Sequence, residues 1–436
     1  MLDRLYALET FGIKLGLENI TRLCAALGHP ERSFLPIHIA GTNGKGSISA
    51  FVHAALTRAG LRAGRYTSPH LVDLRERFVI GTQAVDPGAL AAAATHVLDT
   101  AERLRAAGTL AAPPTFFEAT TAIAFELFRR AAVPVAVIEV GLGGRFDATN
   151  VVEARVGAIT SIARDHEEQL GRSIRSIAFE KAGIIKPDMT VVTGALPAEA
   201  MDVITDAARA RGARVVRAAD AGSVNAAFVD GVASLTLRTA EAAYGPLTLA
   251  LRGEHQVGNA LVAARVLEAA AAAGVPVSAA DIVQGLATAE WPARLEMLAL
   301  TSGGRILLDA AHNEEGARAL AAYLSRWHPE RPPLAIGVMA DKDVDAILAA
   351  LLPVTSRIVA TGVAARRALA PSSLAARVAA HDPGRQVDVV EDPLQAALHA
   401  VDAGNGLAVV AGSIYLAGAV RGALVQRAIL RSSPDI

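Results

Sequence analysis

The sequence predicts an α/β protein. An N-terminal P-loop-type, doubly wound, mostly parallel sheet with a small β-rich subregion is followed by a smaller, Rossmann-like C-terminal domain. Three observations carry this prediction. Short β-branched runs alternate with longer helical patterns almost throughout, the rhythm of strands joined by helical crossovers. A glycine-rich turn links the first of these strands to a helix. At Trp291-Pro-Ala-Arg-Leu-Glu296 a proline interrupts a helical pattern, and a second α/β series begins after it.

Taken in order, Ile37–Ala40, Val135–Val140, Ala158–Ile162 and Val191–Thr193 read as buried parallel strands, being short apolar runs without a polar face. Ser47–Ala59, Thr115–Arg130, Ile174–Ala182 and Ala198–Arg211 carry the helical patterns between or after them. From Asn225 to Leu251 short alternating segments with turn residues suggest the β-rich insertion, and the helix Gln256–Ala272 follows. Two domains result, 1–292 and 293–436. The second holds strands at Arg305–Leu308, Leu334–Val338, Arg357–Thr361, Gln386–Val390 and Leu407–Val410.

Composition bounds the function. Of the 436 residues, 52% are hydrophobic and 19% charged, so a large core forms and a disordered chain is excluded. The net charge of −1 gives no footprint for nucleic acid or an anionic membrane. The single cysteine, Cys24, cannot close an internal disulfide, which fits a reducing compartment. No secretory h-region opens the chain and no run is long and apolar enough for a membrane helix, so a cytoplasmic protein is expected; a monomer is expected as well.

The strongest local signal is His38-Ile-Ala-Gly-Thr-Asn-Gly-Lys-Gly-Ser47. Gly41, Gly44 and Gly46 let backbone N–H groups approach phosphates, Lys45 offers a point charge, and Ser47 offers a hydroxyl to magnesium. The spacing departs from the common Walker pattern, since Gly46 stands between Lys45 and Ser47; a turn that binds nothing would look much the same. Glu139, near the end of a strongly apolar strand, is costly to bury unless it meets a cation, whether magnesium or a structural partner. The strand before Arg164-Asp-His166 brings His166 to the same edge, although magnesium prefers oxygen. Ser68 and His70 sit in a Ser-Pro-His turn. Lys181, near a helix C-terminus, reads no further than a partner for exposed carbonyls. Gly253-Glu-His-Gln-Val-Gly-Asn259, Leu308-Asp-Ala-Ala-His-Asn313, Asp341-Lys-Asp343 and Gly412-Ser-Ile-Tyr415 complete the set, each weak alone.

In this order the segments resemble the folylpolyglutamate synthase and dihydrofolate synthase family, relatives of the Mur ligases, from Lys14-Leu-Gly-Leu17 to Gly412-Ser-Ile-Tyr-Leu416. The loop with its extra glycine and Glu139-Val-Gly-Leu-Gly-Gly-Arg-Phe-Asp-Ala-Thr-Asn150 are the distinctive parts. The resemblance implies a central-type ATP-binding domain and a C-terminal glutamate ligase domain. It implies that Thr42, Asn43, Gly44, Lys45, Gly46 and Ser47 cradle ATP, with Asn259, Arg294 and Asp309 also at the nucleotide. Ser47, Ser68, Glu139 and His166 fall where the family holds magnesium, two ions being expected. Lys181 matches a lysine often carried as a carbamate, an added metal ligand. The pterin site is implied by Thr115, Phe116, Phe117, Glu118, Phe146, Asp147 and Ala148, more loosely by Ala7 to Thr10, and the glutamate site by His312, Ser413 and Tyr415. Lys45, His166, Lys181 and His312 are the implied catalytic groups. Some positions depart from the family pattern: Phe146 stands for leucine, Ala293 for glycine, Glu314 for proline and Ala419 for glutamate.

The implied activity is an ATP-dependent ligation of L-glutamate to dihydropteroate, to (tetrahydro)folate polyglutamates, or to both, through an acyl phosphate. Two other readings compete. A Mur-type ligase acting on a peptidoglycan precursor is opposed by Gly46 and by the pterin-matching segments. A non-catalytic nucleotide-binding regulator is opposed by Glu139, His166 and Lys181, which a sensor does not need.

Overall fold

The structure, a computed structural model, describes residues 1–11, 16–220, 222–363, 365 and 367–431, with no side chain described at Thr10 or Phe11. Lys14 and Leu15 of the expected motif region therefore lie outside the described residues. The chain divides into two compact units: 1–227, 234–250 and 256–290 form the first, and 228–233, 251–255 and 291–436 the second.

The strands of the first unit's main sheet are β1 (Leu35–Ala40), β2 (Gly64–Tyr66), β3 (Phe78–Ile80), β4 (Gln83–Ala84), β5 (Val135–Glu139), β6 (Val156–Ile159), β7 (Thr190–Thr193) and β8 (Arg214–Arg217). Their spatial order is β4-β3-β2-β5-β1-β6-β7-β8. All neighbours from β2 to β8 run parallel, and only β3 and β4 are antiparallel additions at one edge. The central strands β5, β1 and β6 are buried almost end to end, as apolar runs covered on both faces must be. One core packs helices Glu18–Ala26, Pro87–Ala106 and Phe116–Arg130 against the sheet; another packs helices Ile174–Ala182 and Ala198–Arg209. Because the strand order reverses direction on either side of β1, the crevice outside its C-terminal end is where such a sheet takes a ligand.

Two expected boundaries shift for a physical reason. The strand expected to reach Ile162 leaves the ladder after Ile159, because the next two side chains turn to the glycine-rich loop: Thr160 Oγ1 donates to the Asn43 carbonyl at 2.6 Å, and Ser161 Oγ accepts from Asn43 N–H at 2.9 Å. Helix Lys45–Arg58 starts at Lys45, ahead of the expected Ser47, because Gly44 already takes the left-handed conformation of its N-cap.

The β-rich insertion is a three-stranded sheet of β9 (Ser223–Val229), β10 (Val232–Arg238) and β11 (Ala243–Thr248), in the order β11-β10-β9. Behind it, Glu268 of helix Glu254–Ala272 accepts from Tyr244 Oη at 2.7 Å and pairs with Arg265 at 2.8 Å, so its charge is compensated.

The second unit's sheet consists of β12 (Glu296–Ala299), β13 (Arg305–Leu308), β14 (Leu334–Ile336), β15 (Ile358–Thr361), β16 (Val387–Val390) and β17 (Leu407–Ala411), in the order β12-β13-β17-β14-β15-β16. Only β12 is antiparallel. Within this unit Arg326 lies over the rings of Phe228 and Trp327 and pairs with Glu254, which ties the segments 228–233 and 251–255 to helix Glu314–Trp327. No helix among the described residues is long and apolar enough to cross a membrane.

Candidate active site

The glycine-rich loop follows β1 directly and is fixed from the β6 side. Thr42 N–H donates to the Ser161 carbonyl at 2.9 Å, and Thr42 Oγ1 accepts from Ala163 N–H at 3.0 Å. Gly44 has φ +84°, and a Cβ there would come within 2.7 Å of Asn259 Oδ1. The position therefore admits only glycine without strain, and Asn259 packs onto the loop. With glycine as its N-cap residue, the helix receives no side-chain cap, which leaves its first-turn N–H groups suited to an anion.

Lys45 curls back so that its Nζ donates to the Gly41 and Thr42 carbonyls, both at 3.0 Å. Lys181 reaches the Gly41 carbonyl from helix Ile174–Ala182 at 2.8 Å. Two cations thus converge on one turn. Lys181 is buried, and burial together with Lys45 lowers its pKa to about 7, while Asp165 and Asp147 pull in the opposite direction. The bland role expected for Lys181 at a helix end is replaced by one at the loop itself.

Ser47 is buried and accepts from Gln256 Nε2 at 3.2 Å; Gln256 in turn accepts from Asn259 Nδ2 at 2.9 Å. Gln256 was not among the expected site residues, although it lies inside the motif that supplied Asn259. Glu139 ends β5, opposite Ile39 in register, and its Oε2 lies 3.4 Å from the Ser68 N–H. Arg65 on β2 is a second unexpected neighbour, and Glu139 is the first of the acidic groups that favour its charged form. His166 adopts φ +51° at the start of the short helix Glu167–Leu170, with its side chain 40% exposed and Asp165 Oδ1 3.8 Å from Nε2. Among the described residues no three His, Cys, Asp or Glu side chains form a metal cage. Magnesium does not require one, since it binds through one or two carboxylates, waters and substrate phosphate. The buried Glu139 carboxylate and the Ser47 and Ser68 hydroxyls are hard oxygen donors, so they fit that ion; the His166 nitrogen fits it less well.

Among the residues expected at the pterin, Thr115 and Glu118 form a reciprocal capping box on helix Phe116–Arg130: Thr115 N–H donates to Glu118 Oε2 at 2.7 Å and Glu118 N–H to Thr115 Oγ1 at 3.1 Å. Phe116 stacks on Tyr6 at 5.8 Å, with the Arg77 guanidinium 5.2 Å from its ring centre. Arg77 donates to His70 Nδ1 at 2.9 Å. Tyr6 and Arg77 had no sequence signal of their own. Phe117 lies against Gly141, where a Cβ would be 2.5 Å from the ring. The loop 141–147 beyond β5 is held by Asp147, whose Oδ2 accepts from Leu142 N–H at 2.8 Å, and by Arg145 N–H donating to the Glu180 carbonyl at 2.8 Å. Arg145 pairs with Glu180 and lies over Phe146 and Phe179 at 4.2 and 4.9 Å. Ala148 is buried at the start of the 3-10 turn Ala148–Val151.

In the second unit, Asp309 follows β13 and is buried; its Oδ2 accepts from Leu295 N–H and its Oδ1 from Ala311 N–H, both at 2.8 Å. Asp309 therefore fixes the turn that carries Arg294. Ala293 and Leu295 on either side of Arg294 have φ +56° and +49°, the left-handed region that costs a residue with a Cβ. His255, which has no signal of its own in the sequence, lies near both groups; desolvation and the Arg294 charge hold its pKa below the ordinary value, with Asp309 opposing. His312 Nδ1 lies 2.9 Å from the Ala310 carbonyl, and Gly412 N–H donates to the Ala311 carbonyl at 2.9 Å. The strand ends that carry His312 and Ser413 are thus adjacent. Ser413 caps helix Ile414–Gln426 by accepting from Tyr415 N–H at 3.1 Å, and the Tyr415 side chain is exposed.

A glycine-rich nucleotide crevice on one doubly wound unit and a separate α/β unit after it define a Mur-type ligase. Family models agree: residues 89–267 match the Mur ligase middle domain and residues 293–414 the Mur ligase glutamate ligase domain. The dihydrofolate synthase/folylpolyglutamate synthase of Mycobacterium tuberculosis is 36% identical over 435 residues, covering 93% of this chain and 89% of that protein. The Mycobacterium tuberculosis folylpolyglutamate synthase complexed with ADP and AMPPCP superposes with a TM-score of 0.90 at 34% identity, covering 100% of this chain and 99% of the other. The Escherichia coli protein solved with DHPP and ADP gives 0.85 at 29% identity, with 98% of each chain covered. The chain belongs to the folylpolyglutamate synthase/dihydrofolate synthase family of the Mur ligase superfamily, and is an ATP-dependent glutamate ligase.

Proposed function

We propose that this enzyme performs both ligations of its family, joining glutamate to dihydropteroate and extending the glutamyl tail of tetrahydrofolate. The observation that most supports the reading is the fastening of three parts within one unit. Lys181 Nζ holds the Gly41 carbonyl of the phosphate loop, and the neighbouring Glu180 carbonyl holds Arg145 of the loop 141–147. A nucleotide subsite and an acceptor subsite on so stiff a frame suit a reaction between their occupants.

In the first step an acceptor carboxylate oxygen attacks the γ-phosphorus of ATP, the bond to the bridging oxygen breaks, and ADP leaves. Thr42 to Ser47 present backbone N–H groups to the phosphates, and Lys45 exchanges its loop carbonyls for the γ-phosphoryl oxygens. Asn259, Arg294 and Asp309 are assigned to the nucleotide. In the second step the glutamate amine attacks the acyl carbon, a tetrahedral adduct forms, and phosphate leaves as the amide closes. His312, Ser413 and Tyr415 are assigned to glutamate, and Phe116, Phe117, Phe146, Asp147 and Ala148, with the Thr115–Glu118 cap beneath them, to the pterin side. Magnesium, when bound, neutralises phosphoryl charge; Ser47, Ser68 and Glu139 would hold one ion, and His166 with a carbamylated Lys181 a second. A Lys181 pKa of about 7 leaves enough neutral amine to add carbon dioxide at neutral pH. A carbamate signal in the carbon-13 spectrum under labelled carbon dioxide, absent in Lys181→Met, tests that modification. A monomer is the proposed working unit, and light scattering checks it.

The test of the whole reading is mass spectrometry of products from dihydropteroate and from tetrahydrofolate, each with ATP and glutamate. Glutamylated product from both acceptors is expected. Product from only one of them refutes the double activity.

A further inference from the structure

His38 lies on β1, three residues before the phosphate loop, opposite Ile138 on one side and Gly157 on the other. It is fully buried and nothing in the proposed reaction uses it. Its Nε2 is 2.9 Å from Thr149 Oγ1, and Thr149 Oγ1 donates to Asp147 Oδ1 at 2.5 Å. The direction of the chain follows from proton count. Burial raises the Asp147 pKa, but the Thr149 hydroxyl and the N–H groups of Leu142, on Oδ2, and Thr149, on Oδ1, all favour the ionised form, so its carboxylate is the acceptor. The one hydroxyl proton of Thr149 is thereby committed, and His38 must donate from Nε2. Its Nδ1 is then bare, and that atom is buried with no hydrogen-bond partner among the described residues. Burial holds the imidazole neutral, with a pKa lowered to about 3, consistent with the single donor.

We infer that His38 and Thr149 are positioning residues for the acceptor: through Asp147 they hold the loop 141–147 in register with the strand that feeds the phosphate loop. Asp147 closes that loop onto Leu142, and Phe117 packs on Gly141 next to it, so loosening Asp147 moves the surface assigned to the pterin. The phosphate loop is independently anchored by Thr160, Ser161 and Lys181, so the same loosening leaves nucleotide binding in place. The inference rests on the pteroyl-acceptor reading above.

The test is steady-state kinetics of Thr149→Val, Thr149→Ser, His38→Leu and His38→Gln, with dihydropteroate and ATP varied separately. Valine keeps the shape of threonine and removes the hydroxyl. Serine keeps the hydroxyl, and glutamine can place an N–H near the Nε2 position. Thr149→Val, which loses the charge-assisted bond to Asp147, should raise the KM for the acceptor about tenfold, and His38→Leu, which loses the neutral bond to Thr149, about fivefold. The KM for ATP should change less than about twofold, and Thr149→Ser and His38→Gln should stay near the parent. An unchanged acceptor KM in Thr149→Val, or equal rises for both substrates, overturns the inference. If Thr149→Val does not fold, the comparison of His38→Leu with His38→Gln decides on the same criteria. A parent enzyme that turns over no pteroyl acceptor defeats the functional reading instead, so the two failures are distinct.

Discussion

Replacing Lys181 by methionine should inactivate the enzyme and make the free protein more stable, with a gain that depends on pH. Lys181 is 4% exposed and its pKa is held at about 7 against an ordinary 10.5, burial being the main cause. That gap corresponds to about 4–5 kcal/mol by which the protonated form disfavours the folded state. The substitution also removes the hydrogen bond to the Gly41 carbonyl, about 1.5–3 kcal/mol for a charged donor. The net expectation near pH 6 is a stabilisation of about 1–3.5 kcal/mol. Its sign with pH is fixed by proton binding. The unfolded chain keeps this proton to about pH 10.5 and the folded chain only to about pH 7, so the parent gains stability as pH rises through that window. Methionine does not titrate, and the variant's advantage should fall to near zero by about pH 9.5. Urea unfolding followed by circular dichroism at the two pH values, in buffer free of carbon dioxide, measures the difference. A gain of equal size at both pH values would refute the reasoning, as would a variant less stable than the parent near pH 6.

Four further outcomes are expected. Lys45→Ala should abolish folate- and glutamate-dependent ADP release while leaving the circular dichroism spectrum unchanged, since the two carbonyls it binds belong to its own loop. Gly44→Ala should weaken ADP binding at least about tenfold by calorimetry, because φ +84° costs a Cβ-bearing residue about 1–2 kcal/mol and the new atom displaces Asn259; unchanged affinity would contradict the packing. Ala293→Gly should stabilise the protein by up to about 1 kcal/mol, read as a raised melting temperature, because it relieves a left-handed alanine. Asp309→Asn should destabilise the protein by about 1–3 kcal/mol in urea unfolding, because the amide turns a donor toward one of two backbone N–H groups that now find acceptors.

The strands were legible because a strand buried on both faces is an unbroken apolar run. Val135–Glu139 and Leu407–Ala411 are such runs, and little else competes to explain them. Helix Pro87–Ala106 escaped notice for the opposite reason. Its alanine-rich sequence has weak apolar contrast between its faces, and its clearest signal is local: Asp86 capping Gly88 and Ala89, with Pro87 in the first turn. The edge strands β3 and β4 are too short for period-two alternation to show, and the antiparallel β12 lies close to the proline that had been read as a break.

The site divides along a similar line, between residue types that announce chemistry and residues that matter through tertiary contact. Glycines and a lysine between a strand and a helix suggest phosphate by residue type, and the resemblance to the family makes that reading specific. Gln256, Arg65, Tyr6 and Arg77 reach the site only because remote segments meet, and no local pattern marks them. The reverse also occurs. Thr115 and Glu118 belong to the motif implied for the pterin, yet their polar atoms face each other across the first turn of a helix, where they satisfy otherwise orphaned N–H groups. Asp309 likewise satisfies two backbone amides with its two oxygens. In both cases a motif matched by sequence encodes a local frame, because the backbone around a binding site must be held before a ligand arrives. His38 extends the same logic into the sheet. A histidine inside a strand reads as core, and only the proton count through Thr149 to Asp147 gives its position a direction.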